Sequence, residues 1–108
     1  MNVFWTPLAR RRLAEIENYI ARDNPAAAHV IAARLVQRSK SLEQPPLLGH
    51  RLTQYPGDVR ELLERPFRLI IRVKAEQIEV VTLMHYRQLL PSDLADLDDV
   101  ANMKSDRH

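Results

Sequence analysis

The first part of the chain has the hydrophobic spacing of an amphipathic helix. Thr6-Pro7 precedes this spacing. A threonine followed by proline is a typical helix start, because the hydroxyl caps the first turn and proline suits the first helical position. Apolar residues then recur at i, i+4, i+7 and i+11 on one helical face, as Ala9, Leu13, Ile16 and Ile20. The pattern predicts a helix from about Pro7 to Arg22, with a short strand at Asn2–Trp5 before it.

A second helix is predicted almost immediately after the first. Asn24 can cap its N-terminus, and Pro25 suits its first turn. Its apolar stripe consists of Ala28, Ile31, Leu35 and Leu42. Pro45-Pro46 is expected to end it, since proline lacks the amide hydrogen that a helix requires. Because so few residues separate the two helices, they should form an antiparallel hairpin.

The apolar spacing changes from about 3.6 to 2 at Val59, which is typical of strands. Residues 45–58 contain both glycines of the chain and are predicted to be a loop. Three strands should follow, joined by short turns, at Val59–Leu63, Phe67–Val73 and Ile78–Met84. Turns this short require antiparallel neighbours. The predicted fold is therefore α+β, with the short N-terminal strand and the helical hairpin packed on a three- to four-stranded antiparallel sheet.

Size and composition indicate one small globular domain. The chain has 108 residues, of which 45% are hydrophobic and 28% charged, and it has no cysteine. Its N-terminus shows no apolar segment of a signal peptide, and no apolar run could span a membrane. These features predict a cytoplasmic protein without disulfides. The four histidines lack the spacing of metal ligands, so no metal and no cofactor are expected.

Charge is unevenly distributed along the chain. Residues 1–90 have 14 Lys and Arg against 9 Asp and Glu, whereas residues 91–108 have 2 against 5. The sequence therefore predicts a basic domain over residues 1–91 and an acidic tail over residues 92–108. Ser92 could cap a short helix in that tail, and the last residues are expected to be disordered.

The strand at Phe67–Val73 presents two arginines on one face. Strand alternation directs four of its apolar residues toward the helices, and Arg68, Ile70 and Arg72 the other way. The two arginines are then about 13 Å apart, at a rise of roughly 3.3 Å per residue. Such a pair suits phosphates or carboxylates of a target. The alternative is that both arginines pair with Glu61 or Glu79 of the neighbouring strands.

His85-Tyr86-Arg87 follows the last predicted strand and is a candidate catalytic cluster. Histidine can transfer protons near neutral pH, and arginine can stabilise a developing negative charge on phosphate. Together these groups could cleave RNA without a metal. The alternative is structural, with the histidine closing the sheet edge and the tyrosine packing on a helix. The candidate target-binding residues are Arg60, Arg68, Arg72, His85 and Arg87.

Three stretches resemble the RelE/ParE toxin superfamily of type II toxin–antitoxin systems. They are WTPLARRRLAEIENYIARDNPAAA at 5–28, the Leu42…Pro46…Gly49 approach to the sheet, and VRELLERPFRLIIRV with VVTLMHYRQLLP at 59–73 and 80–91. Their order and spacing carry the resemblance, which covers roughly residues 3–91. It implies a helical hairpin on an antiparallel sheet, a growth-inhibiting toxin, and a cognate antitoxin that lays a helix and an extended segment over it. Operator DNA would be contacted only through that antitoxin.

The superfamily contains two activities. RelE-like members are ribosome-dependent mRNA endonucleases, and their site is matched here by Arg68, His85, Tyr86 and Arg87. However, Glu61 lies on the preceding strand, where that branch has basic residues. ParE-like members inhibit DNA gyrase and act in plasmid stabilisation, and they resemble this chain more closely in the hairpin and the final strand. The resemblance therefore favours gyrase inhibition over a metal-independent endoribonuclease that acts on ribosomes and mRNA. A non-toxic co-repressor partner of the antitoxin is a third possibility.

Overall fold

The computed structural model describes residues 1–44 and 49–92. Two α-helices lie between a first short strand and the remaining four strands. The elements are β1 (Asn2–Trp5), α1 (Pro7–Ala21), α2 (Pro25–Lys40), a 3-10 turn (Ser41–Glu43), β2 (His50–Arg51), β3 (Asp58–Glu64), β4 (Phe67–Val73) and β5 (Gln77–His85). α2 ends at Lys40, before the predicted stop at Pro45-Pro46, and the chain continues as the 3-10 turn. Pro45-Pro46 and residues 93–108 of the predicted acidic tail lie outside the described residues. Within the described ranges, no helix is long and apolar enough to cross a membrane.

Both helices begin at the predicted capping residues. The Thr6 hydroxyl accepts a hydrogen bond from the Ala9 amide at 3.1 Å, and the Asn24 side chain accepts one from the Ala27 amide at 3.0 Å. These bonds satisfy amides that have no partner within the helix itself. The Thr6 hydroxyl also donates to the Val81 carbonyl at 2.7 Å, so the start of α1 is fixed to the sheet.

The sheet has five strands in the order β1-β5-β4-β3-β2. The antiparallel meander and the helical hairpin confirm the predicted α+β architecture. Two strands differ from the prediction. β1 pairs with β5 in parallel, and the connection between them consists of the helical hairpin and three further strands. β2 lies within the stretch that was predicted to be a loop, and it pairs with β3 through His50 and Arg51.

The main core lies between the helical hairpin and one face of the sheet. Its buried residues are Ala9, Leu35, Leu42, Leu62, Leu69, Ile71, Ile78, Val80 and Leu83. The predicted apolar face of β4 is confirmed, since Leu69 and Ile71 are in this core and Phe67 and Val73 pack at its margin. The Trp5 indole donates to the Ser39 hydroxyl at 3.0 Å, which joins β1 to α2.

The opposite face of the sheet, here called the far face, is covered at its centre. A second buried cluster lies there and consists of Leu52, Tyr55, Val59, Ile70, Val81 and Met84, with Leu90 packed against it. The face that carries Arg68 and Arg72 is therefore not open to a target at its centre. The covering side chains come from the loop before β3 and from the segment after β5, where no periodic pattern marks a residue as buried.

The backbone conformation and surroundings of Gly49 leave no room for a side chain. Its φ is +96°, and an added Cβ would lie 2.6 Å from the Glu61 carbonyl oxygen. Gly57 also has a positive φ, of +81°, but a Cβ there would meet nothing within 4 Å. We expect Gly49→Ala to lower the free energy of unfolding by more than the roughly 1 kcal/mol expected of Gly57→Ala, because only the first adds a backbone clash to the torsional strain. Equal losses in urea denaturation would contradict this.

Candidate functional site

A groove of about 840 Å³ lies between α1 and the end of β5. Its floor is mostly apolar and includes Leu8, Ile16, Ile31, Phe67 and Leu83. A cation and a carboxylate lie on the α1 wall, where Arg12 and Glu15 form an ion pair at 2.6 Å. A long apolar groove with few polar groups suits an amphipathic helix of a partner better than a charged substrate.

Two large apolar side chains on the groove lining are left in solvent. Tyr19 of α1 is 71% exposed, and Leu89 on the opposite side is 93% exposed. Single exposed apolar residues are common, but two that flank an apolar groove form a continuous patch of the kind that marks a protein interface. The groove is therefore the strongest candidate for a partner site on the described surface.

Residues 85–91, here called the rim turn, begin at the last residue of β5 and contribute one wall of the groove. Local hydrogen bonds shape the turn. The His85 amide donates to the Gln88 side-chain oxygen at 2.7 Å, and the Gln88 amide donates to the His85 carbonyl at 3.0 Å. The Tyr86 amide donates to the Pro66 carbonyl at 2.9 Å, which ties the turn to the β3–β4 connection.

The rim turn is also held from the far face of the sheet. The Arg68 guanidinium lies between Glu61, which it meets at 3.0 Å, and the Gln88 carbonyl, to which it donates a second hydrogen bond. The Tyr55 hydroxyl donates to the Pro91 carbonyl at 2.5 Å. The Arg68 side chain is only 12% exposed, so its charge is largely removed from water and balanced by Glu61.

The His85 side chain is packed among aromatic rings. Its ring meets Phe67 edge-on, with centroids 5.8 Å apart, and stacks on Tyr86 with centroids 4.9 Å apart. Its Nδ1 accepts a hydrogen bond from the Arg87 amide at 3.1 Å. Arg87 in turn donates from Nε to the Tyr86 hydroxyl at 3.1 Å. These three residues form one contact cluster at the end of the sheet.

Arg68 is not part of that cluster. Arg68 pairs with Met84 in the β4–β5 register, and Phe67 pairs with His85. Because paired residues of antiparallel strands point to the same face, His85 lies on the helix side and Arg68 on the far face. The sheet therefore separates the arginine from the other three residues of the candidate nuclease set.

The remaining candidate arginines are also distributed over both faces. Arg60 pairs with Ile71 in the register and so lies on the helix side, where its Nε meets Asp58 at 2.9 Å. Arg72 lies on the far face and meets Glu79 at 3.2 Å. Arg60, Arg68 and Arg72 thus do not form one working face. The sequence left two interpretations of Arg68 and Arg72, target binding or ion pairs within the sheet. In the structure Arg68 pairs with Glu61, and Arg72 pairs with Glu79.

Comparison with known proteins assigns the chain to a family. Residues 3–90 match the family model described as the ParE toxin of the type II toxin–antitoxin system parDE. The chain belongs to this family. It is thus a ParE-type toxin of a type II toxin–antitoxin system, in agreement with the resemblance noted in the sequence.

Two relatives illustrate the similarity. The toxin candidate Y4kP of Sinorhizobium fredii is 33% identical over 95 residues, which cover 83% of this chain and 93% of the relative. A solved chain of the chromosomal ParDE toxin–antitoxin system from P. aeruginosa superposes with a TM-score of 0.68 at 31% identity. That match covers 79% of this chain and 95% of the other. The family match over residues 3–90 includes every residue that lines the groove except Pro91.

Sequence patterns did not indicate the most exposed residues of this ParE-type site. Tyr19 lies beside the apolar stripe of α1, and Leu89 lies in a segment without periodicity, so no pattern marks either as a site residue. Both could be recognised only once the surrounding groove was known. Among the described residues, no group of three or more His, Asp and Glu side chains could hold a metal ion.

Proposed function

We propose that this ParE-type toxin acts by binding and inhibiting DNA gyrase in the cytoplasm, and that its cognate antitoxin neutralises it. The observation that carries a binding mode of action is the separation of Arg68 from His85 across the sheet. A nuclease of the RelE type needs its cations around one phosphate, and here Arg68 lies on the other face from His85 and is balanced by Glu61. The ParE resemblance supports gyrase as the target.

The groove is the proposed docking site of the antitoxin. Its apolar floor and the exposed Tyr19 and Leu89 suit the apolar face of an amphipathic helix. The basic balance of residues 1–90 would accelerate the approach of an acidic antitoxin segment. Operator DNA is proposed to be contacted by the antitoxin and not by this chain.

A paired assay tests the mode of action. We expect the purified chain to inhibit gyrase-catalysed supercoiling in vitro and a stoichiometric amount of antitoxin to restore it. Induction of the chain alone should arrest growth, while mapping of mRNA ends shows intact messages on translating ribosomes. Cleaved messages with normal supercoiling would instead support an endoribonuclease. The absence of both effects and of a growth defect would support a non-toxic co-repressor.

A further inference from the structure

The rim turn forms a wall of the groove, yet two of the hydrogen bonds that hold it come from side chains on the other side of the sheet. Its backbone presents the Gln88 and Pro91 carbonyls toward the far face, and each accepts a side-chain hydrogen bond there. Between these two residues, Leu90 packs against the second buried cluster, while Leu89 points into solvent beside the groove. Alternate residues of one short segment thus serve the two faces of the molecule.

Arg68 can hold this turn only because it is an arginine. Its Nη1 meets the Glu61 carboxylate at 3.0 Å, and its Nη2 donates to the Gln88 carbonyl. A guanidinium presents donors in fixed and different directions, whereas the ammonium of lysine is a single point charge. Lysine at this position could keep the ion pair with Glu61, but its single nitrogen would have to serve both partners, so we expect the bond to the Gln88 carbonyl to be lost or weakened. The side chain therefore orients the turn, and the ion pair orients the side chain.

The side chain of Leu89 has few packing contacts that could fix its position. Its side chain is 93% exposed, so its position relative to the groove follows from the backbone of the rim turn. A partner that binds a mobile wall must first order it, and the conformational entropy lost lowers the affinity. A wall that is already fixed in the free toxin avoids that cost. Hydrogen bonds on the far face can therefore raise the affinity for a ligand that they do not contact.

We propose that Arg68 and Tyr55 are positioning residues for partner binding. From the far face, they hold the rim turn in the conformation that completes the groove. This assigns Arg68, which the sequence suggested as a catalytic or target-binding residue, to the recognition of the antitoxin through the turn. The inference rests on the proposed docking site, and it adds that the site is pre-formed by contacts outside it.

Two conservative variants test the proposal. Arg68→Lys should remove or weaken the bond to the Gln88 carbonyl, and Tyr55→Phe removes the bond to the Pro91 carbonyl, and neither removes a large volume from the core. The matched control is Arg60→Lys, since Arg60 also pairs with a carboxylate of the sheet, Asp58, but on the helix side. Circular dichroism and thermal unfolding establish that each variant is folded before binding is measured.

The first readout is hydrogen–deuterium exchange of the amides of residues 85–90 in the free toxin. We expect Arg68→Lys and Tyr55→Phe to raise the exchange of these amides above that of the parent, with unchanged protection in the strands of the sheet. Arg60→Lys should leave the rim turn unchanged. Unchanged exchange in both test variants would overturn the proposal, whatever the partner does.

The second readout is the affinity for the cognate antitoxin, measured by calorimetry with the full-length antitoxin. Each test variant is expected to weaken binding by about 10-fold, because the turn must then be ordered on binding. Faster exchange with unchanged affinity would overturn the positioning role and leave the docking site intact. Failure of the docking site itself is distinguished by Tyr19→Ala with Leu89→Ala. If that pair of changes leaves the affinity unaltered, the groove is not the site and the proposal falls with it.

Discussion

Alanine at both Tyr19 and Leu89 is expected to lower the affinity of this toxin for its antitoxin by roughly 100-fold. The two side chains are the most exposed large apolar groups of the described surface, and both line the groove. Burying each against an apolar helix face would contribute about 1.5 kcal/mol, within the usual range for side chains of this size. Because both are in solvent in the free toxin, their removal should leave its unfolding free energy nearly unchanged. Isothermal titration calorimetry with the purified antitoxin measures the effect.

Val30→Ala with Leu63→Ala is the matched control for this variant. Val30 is 49% exposed and Leu63 is 46% exposed, and neither lines the groove. This pair removes apolar side chains that are exposed outside the groove, to a smaller fraction than Tyr19 and Leu89, and should change the affinity by less than about 3-fold. An equal loss in both pairs would indicate a general effect of surface hydrophobicity. No loss at Tyr19 and Leu89 would exclude the groove as the docking site.

The elements with local signals were predictable from the sequence. Thr6 and Asn24 are capping residues followed by proline, and each begins a helix as expected. The alternation of Phe67–Val73 predicted both the bounds of β4 and the face that meets the helices. In each case the determining interaction lies within a few residues, so the sequence shows both partners together.

The elements that depend on distant partners were not predictable in the same way. β1 has only four residues, and its parallel pairing with β5 depends on the helices and strands that connect the two in the chain. β2 has two residues and exists because β3 offers an edge beside it. The cover of the far face joins Leu52, Tyr55 and Leu90, which no spacing rule connects. Tertiary context, and not local preference, determines all three features.

The candidate site illustrates the effect of a single position in the register. Phe67 and Arg68 are neighbours in sequence, but their partners His85 and Met84 lie on opposite faces. Strand alternation predicted the face of Arg68 correctly, yet His85 was assigned to the same site because residues beyond a predicted strand end have no defined face. The sequence also offered Glu61 as a partner for Arg68, and only the structure shows that the two meet.

The far face supplies the second large effect, because its central residue is fully buried. Ile70 is 0% exposed within the second cluster, so Ile70→Ala is expected to lower the free energy of unfolding by about 3 kcal/mol, within the 2–5 kcal/mol range of such truncations. Leu63 lies on the same face in the register but is 46% exposed, and Leu63→Ala should cost less than about 1 kcal/mol. Urea denaturation of both variants measures the difference. If the far face were an open working surface, the two losses would be similar and small, and the second cluster would contribute little to stability. A large loss at Ile70 alone would instead show that the centre of this face stabilises the fold and is not open to a partner.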